Sequence, residues 1–146
     1  MTRHLSSLVA LALALTSATS GAAAGDPTVP FWRKAWTVSG VLGPAAFVDQ
    51  AKDSIGKPLE LTAARAQTPY SYPCPNPPDY RDIRIRARTT LAGHFGAFWK
   101  FPAALGARPV AGWVRCPGGG NIGAFAFTDA HHGYYFFEDG LILTLK

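Results

Sequence analysis

Apolar and polar residues alternate in several short segments of the chain. A period of two places successive side chains on opposite faces of a β-strand, so that one face can be buried while the other meets solvent. This alternation predicts strands over residues 35–42, 59–63, 81–90, 109–116, 122–128, 134–137 and 141–145. Residues 95–101 are rich in aromatic side chains and are predicted to form a further short strand or the entry to one.

A helical spacing occurs between residues 45 and 55. Several apolar side chains there lie near one face of a helix, namely Phe47, Val48, Ala51 and Ile55. Gly56 follows directly and is expected to end this helix. Near the C-terminus, Asp139-Gly140 joins two apolar runs and indicates a hairpin. Seven or eight short strands with one short helix predict a mainly all-β fold, a single antiparallel β-barrel or sandwich.

The segment 67–80 interrupts this pattern with five prolines and three tyrosines. This proline density excludes a helix or a central strand and predicts a surface loop. Cys74 lies in the loop, and Cys116 is the only other cysteine of the chain. In an oxidising compartment such a pair forms a disulfide, and the alternative is two free thiols.

The first residues predict such a compartment. A short positive segment, the apolar run 8–15 and Ala22-Ala23-Ala24 have the layout of a secretory signal peptide over residues 1–24. The apolar run is too short to span a bilayer, which takes about 20 residues, so no membrane anchor is expected. We therefore predict one domain over residues 25–146 that is exported to the periplasm or secreted.

The charge of the predicted mature chain is mildly positive. Residues 25–146 contain thirteen basic and nine acidic residues, a net charge of +4. This excess is well below that of nucleic-acid-binding domains, so no nucleic-acid partner is expected. Acidic protein surfaces and anionic polymers are better suited partners.

The chain lacks the common catalytic and cofactor-binding motifs, and we expect no cofactor, no metal and no catalytic residue. The one polar cluster that suggests chemistry is His131-His132 with Asp129. Adjacent residues of a strand point to opposite faces, so a polar hairpin turn is favoured over a metal or general-base site. An enzyme that uses these histidines is the least favoured function.

Basic and aromatic residues around the proline-rich loop indicate a binding surface instead. Arg84, Arg86 and Arg88 alternate with apolar residues and are predicted to lie on one strand face, where they could pair with carboxylates of a partner. The alternative is a solvated face neutralised by nearby acidic residues. Tyr72 and Tyr80 flank Cys74 and either contact a partner or pack back over the barrel.

The overall layout resembles small exported bacterial proteins with a lipocalin-like or META-like barrel. The resemblance rests on the signal peptide, the two distant cysteines, the early strand with Trp36, and the segments G-K-P-L at 56–59, C-P-N-P-P-D-Y at 74–80 and E-D-G-L-I-L-T-L at 138–145. The chain is also loosely similar to periplasmic inhibitors of C-type lysozyme. Those inhibitors present a Ser-Gly-x-x-Tyr loop that this chain lacks, so no inhibitory residue is carried over.

Two binding functions follow from these observations. The first is an exported, non-enzymatic protein that occludes or sequesters a protein partner, such as an inhibitor or immunity protein against a cell-wall hydrolase. The second is a lipocalin-like carrier of a small apolar or anionic ligand. The aromatic residues that would suit a carrier are Trp36, Phe98, Trp99, Trp113, Phe125 and Phe127.

Overall fold

The computed structural model describes residues 29–119 and 121–146. The predicted signal peptide and its cleavage site lie outside the described residues. The prediction of a mainly β fold is confirmed, because eight antiparallel strands form one curled sheet with the shape of a half-barrel. Two short α-helices accompany the sheet, one more than predicted.

The strands are short and follow one another closely along the chain. Their bounds are β1 Ala35–Leu42, β2 Pro58–Leu61, β3 Ala66–Gln67, β4 Asp79–Ile85, β5 Val110–Arg115, β6 Asn121–Asp129, β7 His132–Phe136 and β8 Ile142–Leu145. The helices are α1 Ala45–Ala51 and α2 Leu91–Phe95. The strand order across the sheet is β3-β2-β1-β8-β7-β6-β5-β4, so β3 and β4 form its two edges.

Apolar side chains cover both faces of this sheet. The inner, concave face holds a cluster of large side chains that includes Trp36, Leu59, Phe125, Phe127 and Leu143, all of them almost fully buried. Their rings stack on one another, as in the Trp36–Phe127 pair with centroids 5.4 Å apart. The interior of the half-barrel is therefore filled by side chains, as is usual for small barrels.

The outer face is covered by the segment between β4 and β5, which contains α2. Small side chains at Ala111, Ala124 and Ala126 let this segment approach the sheet closely. Leu91 and Phe95 of α2 are buried against them. Because the sheet is covered on both sides, β8 is apolar at consecutive positions instead of alternating.

The proline-rich loop and its neighbours join the two edges of the sheet. The predicted disulfide between Cys74 and Cys116 is confirmed and links the loop to the end of β5. The Cys74 backbone amide donates to the Ala66 carbonyl of β3 over 3.1 Å. From β4, the Tyr80 hydroxyl donates to the Thr62 carbonyl over 2.5 Å. These contacts close the gap that the two edge strands leave.

The prediction of a strand over residues 81–90 is wrong in its second half. β4 ends at Ile85, and a bulge interrupts it between Arg81, opposite Trp113, and Arg84, opposite Ala111. Asp82 adopts a φ of +54° within the bulge, a conformation that Asp tolerates better than most residues. Gly112 accommodates the bulge, because a Cβ there would lie 2.6 Å from the Ile83 Cα atom.

Two other predictions near the helices have different outcomes. The helix predicted over residues 45–55 is confirmed as α1 with a following 3-10 turn, Lys52–Ser54. The strand predicted over residues 95–101 is wrong, because α2 ends at Phe95 and turns follow it. Helix α2 is buried at its two terminal positions, so tertiary packing outweighs the β propensity of its aromatic neighbours.

Candidate functional site

The three arginines predicted to line one strand face do not form a continuous row. Arg84 is exposed and its Nε atom lies 3.1 Å from Asp82 Oδ1. The Arg86 side chain is only 11% exposed and pairs with the other carboxylate oxygen of Asp82. Arg88 lies beyond the end of β4, in the 3-10 turn Arg88–Thr90. The row is broken because the strand ends at Ile85.

Asp82 is the centre of this basic group. His94, on α2, places its Nε2 atom 3.7 Å from Asp82 Oδ2. Burial lowers the pKa of His94, and the neighbouring Arg86 lowers it further. We call Asp82, Arg84, Arg86 and His94 the Asp82 cluster. Its carboxylate is shared by two guanidinium groups, as expected from the interpretation in which acidic residues neutralise the arginines.

The two tyrosines predicted to contact a partner have different environments. Tyr72 is 92% exposed in the proline-rich loop. Tyr80 is half-buried, packs against Trp32 with ring centroids 5.1 Å apart, and donates its hydroxyl proton to Thr62. Burial raises the pKa of Tyr80 to about 12. Tyr80 thus stabilises the closure of the sheet edges, whereas Tyr72 is available for contact.

Asp129, His131 and His132 lie at the turn between β6 and β7. The Asp129 carboxylate accepts hydrogen bonds from the His131 backbone amide at 2.7 Å and from His132 Nδ1 at 2.9 Å. These bonds lower the pKa of Asp129. The polar hairpin turn is therefore the arrangement that the structure shows. In the described part of the chain, no group of three or more metal-ligating side chains occurs.

A cavity of about 650 Å³ lies at one end of the half-barrel. It was not predicted as a site, although the carrier hypothesis named three of its residues. Its aromatic lining comprises Phe47, Phe98, Trp99, Trp113, Tyr135, Phe136 and Phe137. The other three aromatic residues named for a carrier, Trp36, Phe125 and Phe127, are buried in the inner cluster.

Five separate segments of the chain meet at this cavity. They are α1, the turn after α2, β5, the start of β6, and the end of β7 with the Glu138–Gly140 turn that follows it. Gly123, at the start of β6, has a φ of +130°, and a Cβ there would lie 2.8 Å from the Tyr135 ring. Glycine at this position therefore lets the Tyr135 ring lie directly against the backbone of the wall.

Two polar groups of the wall are engaged with the protein itself. The Tyr135 hydroxyl donates to the Ile122 carbonyl over 2.6 Å, and Trp99 Nε1 donates to the Phe137 carbonyl over 2.6 Å. Burial raises the pKa of Tyr135, and its hydroxyl stays protonated. Trp113 also lines the cavity and carries a further indole N–H group. The wall is otherwise largely apolar, and Phe98 leaves 61% of its surface exposed there.

The charged side chains that line the cavity lie at its rim. Glu138 and Asp139 line it, both are exposed, and neither forms a salt bridge with any residue that the structure describes. A smaller recess of about 270 Å³ shares Phe98 and Gly140 with the cavity and is lined by Lys100. No helix within residues 29–119 and 121–146 is long and apolar enough to cross a membrane.

Comparison of this chain with known protein families, curated proteins and solved structures finds no match. The resemblance to exported lipocalin-like proteins and lysozyme inhibitors therefore stays a prediction.

Proposed function

We propose that this protein is an exported, non-enzymatic binding protein that holds a small, largely apolar molecule in the aromatic cavity. The observation that supports this most strongly is the cavity itself, because its volume of about 650 Å³ falls in the range of small-molecule sites. Its aromatic walls and few polar groups are also typical of such sites. The disulfide fits an oxidising compartment outside the cytoplasm.

Phe98 provides the direct test. It is exposed at the cavity, so truncation removes ligand contact while leaving the packed core intact. We expect Phe98→Ala to weaken binding of a neutral apolar fluorophore, N-phenyl-1-naphthylamine, by about tenfold, the effect of losing one aromatic contact. Fluorescence titration of the dye measures this change.

Tyr72→Ala is the matched control, because Tyr72 is an exposed aromatic residue that does not line the cavity. Its dye affinity should equal that of the unaltered protein. If Phe98→Ala and Tyr72→Ala lose dye affinity equally, or if the unaltered protein does not bind the dye, the cavity is rejected as a ligand site.

A second function, recognition of a protein partner, is favoured by one observation. Tyr72 is almost fully exposed on a loop that a disulfide fixes to the sheet, an arrangement that gives large contact area at low entropic cost. Among the predicted arginines, the exposed Arg84 is the one best placed to add electrostatic attraction.

The assay for this second function is inhibition of a C-type lysozyme acting on bacterial cell walls. Tyr72→Ala should abolish inhibition if the loop occludes the enzyme, and Arg84→Ala should slow association and weaken its salt dependence. Undiminished lysozyme activity in the presence of excess protein would exclude this target.

A further inference from the structure

The acidic residues at the cavity differ from most others in the molecule. Four acidic side chains form salt bridges with Lys or Arg, namely Asp49, Glu60, Asp79 and Asp82, and Asp129 pairs with His132. Among the acidic residues that the structure describes, the ones without a salt bridge are Asp53, Glu138 and Asp139. Two of these three are consecutive and lie at the cavity rim. In a chain with an excess of basic residues, this is a local concentration of uncompensated negative charge.

The negative charge also acts on the cavity wall. Burial is the main cause of the raised pKa of Tyr135, and the Glu138 carboxylate raises it further. Glu138 and Tyr135 both line the cavity. A positive group placed between them would be stabilised by the negative charge of Glu138.

The aromatic rings favour a cation for a second reason. The faces of aromatic rings carry partial negative charge and attract cations. In the described part of the chain, the cation–π contacts are made by Arg33 and Lys34 near Trp32, Trp36 and Tyr80. None of the rings that line the cavity takes part in these contacts, and Phe98 is the ring that is most exposed to a ligand.

The wall offers little to an anion. Two side-chain donors of the wall, Tyr135 Oη and Trp99 Nε1, are already bonded to backbone carbonyls. The indole N–H of Trp113 is a third donor. Lys100 lines the neighbouring recess and not the cavity itself. An anionic group at the rim would be repelled by two carboxylates.

We propose that the cavity is selective for organic cations, that is, for molecules with an apolar body that packs on the rings and an amine or quaternary ammonium group that lies at the Glu138–Asp139 rim. This proposal rests on the proposed function, because it names the ligand class of the same cavity. It differs from the anionic ligand that the carrier hypothesis included.

Three probes that share a decyl chain and differ only in their head group test the selectivity: decyltrimethylammonium, decanol and decyl sulfate. Isothermal titration with the intact protein, below the concentration at which the probes form micelles, gives the three affinities. We expect the cation to bind about tenfold more tightly than the alcohol, and the sulfate to bind most weakly. High salt should reduce the advantage of the cation, because both carboxylates are exposed.

The double variant Glu138→Gln/Asp139→Asn removes the charge with little change of shape. Asn tolerates the left-handed backbone that position 139 adopts, with a φ of +56°. We expect this variant to bind the cation and the alcohol equally well, with the affinity for decanol unchanged. The control Asp53→Asn/Glu60→Gln removes two carboxylates that do not line the cavity and should keep the full preference.

The outcomes separate the two proposals. Equal binding of cation and alcohol by the unaltered protein, or tightest binding of the sulfate, would overturn the cation selectivity and leave the cavity as a ligand site. Failure of all three probes to bind would overturn both the selectivity and the proposed function. A cation preference that survives in the double variant would show that Glu138 and Asp139 are not its source.

Discussion

The Asp82 cluster and the aromatic cavity place charge in opposite ways. In the cluster, one carboxylate is shared by Arg84 and Arg86, and the Arg86 side chain is largely buried. In the cavity, the exposed ring of Phe98 and several more buried rings line the same space as two carboxylates that have no basic partner among the described residues. The cluster therefore pairs its one carboxylate within the fold, although Arg86 Nε and His94 Nε2 are buried there without a hydrogen-bond partner. At the cavity, both carboxylates are exposed and available to a ligand.

This difference shows that residue type alone does not identify a binding site. Arginine-rich segments suggest recognition of anions, yet an internal carboxylate neutralises much of this one. Exposed groups without internal partners are the better guide, because a ligand can reach them and does not have to displace an existing interaction. We expect the cluster to contribute mainly to stability and the cavity mainly to binding.

The largest expected change comes from the disulfide, which lies apart from both regions. Replacing Cys74 and Cys116 with serine should lower the free energy of unfolding by about 4 kcal/mol, because the bridge closes a loop with a sequence separation of 42 residues. Urea unfolding of the variant and of the chemically reduced protein measures this loss, and the two values should agree.

The disulfide variant also tests whether the cavity forms independently of the loop. Neither cysteine lines the cavity, so the folded fraction of the variant should bind the neutral dye with unchanged affinity. Loss of dye binding while the variant is still folded would show that the bridge positions the cavity wall.

A smaller change is expected when the Asp82 cluster loses its carboxylate. Asp82→Asn keeps a residue that tolerates the local φ of +54° but leaves the buried Arg86 without a charged partner. We expect the free energy of unfolding to fall by about 1–2 kcal/mol, with dye binding in the cavity unchanged. Urea unfolding and fluorescence titration measure the two quantities.

Asp79→Asn is the matched control, because Asp79 pairs with the exposed Arg81 on the same strand. An exposed pair contributes less than about 1 kcal/mol. If both variants lose the same stability, the Asp82 cluster is an ordinary surface pair, and the contrast with the cavity is wrong.

The smallest change in the free energy of unfolding is expected from a substitution in the cavity wall. Tyr135→Phe removes the hydroxyl that donates to the Ile122 carbonyl, which should lower the free energy of unfolding by about 1 kcal/mol at neutral pH. Dye binding should be retained, because this hydroxyl is engaged with the backbone and not with a ligand. Urea unfolding and dye titration check both expectations.

The contribution of Tyr135 to the free energy of unfolding depends on pH. The pKa of Tyr135 is raised in the folded protein above its ordinary value of 10.0, so the unfolded chain loses this proton first as the pH rises. The stabilisation that the protonated Tyr135 hydroxyl provides is fully present below pH 10.0 and is lost as the pH rises toward the folded pKa. The free energy of unfolding of Tyr135→Phe should therefore fall less at alkaline pH than that of the unaltered protein. For Tyr80→Phe, the fall should be smaller between pH 10.0 and about 12. An unchanged alkaline slope in both variants would contradict the assignment.

Much of the fold could be predicted from local patterns. Alternation identified β1 and most of β5 to β8, Gly56 marked the end of the helical region, and Asp139-Gly140 marked the turn before β8. The disulfide followed from cysteine count and expected compartment. These features depend on backbone preferences within a few residues, or on the pairing of two cysteines, which short segments of sequence record directly.

The candidate site could be predicted only in part. Phe98, Trp99 and Trp113 were named for a carrier, but Phe47, Gly123 and Glu138 gave no local signal of a shared cavity. The buried position of Tyr80 was also undecided, because a tyrosine at a partner surface and one packed on a barrel have the same sequence pattern. Proximity between distant segments is the missing information.

The sequence by itself determined the mainly β class, the positions of most strands and turns, and the cysteine pair, because periodicity, turn chemistry and redox chemistry are local or compositional properties. The tertiary structure decided the bulge at Asp82, which depends on the small residue Gly112 in the neighbouring strand. It also decided which charges are neutralised and which rings stay exposed. Both depend on segments that are far apart in the chain and meet only when the sheet curls and is covered on its outer face.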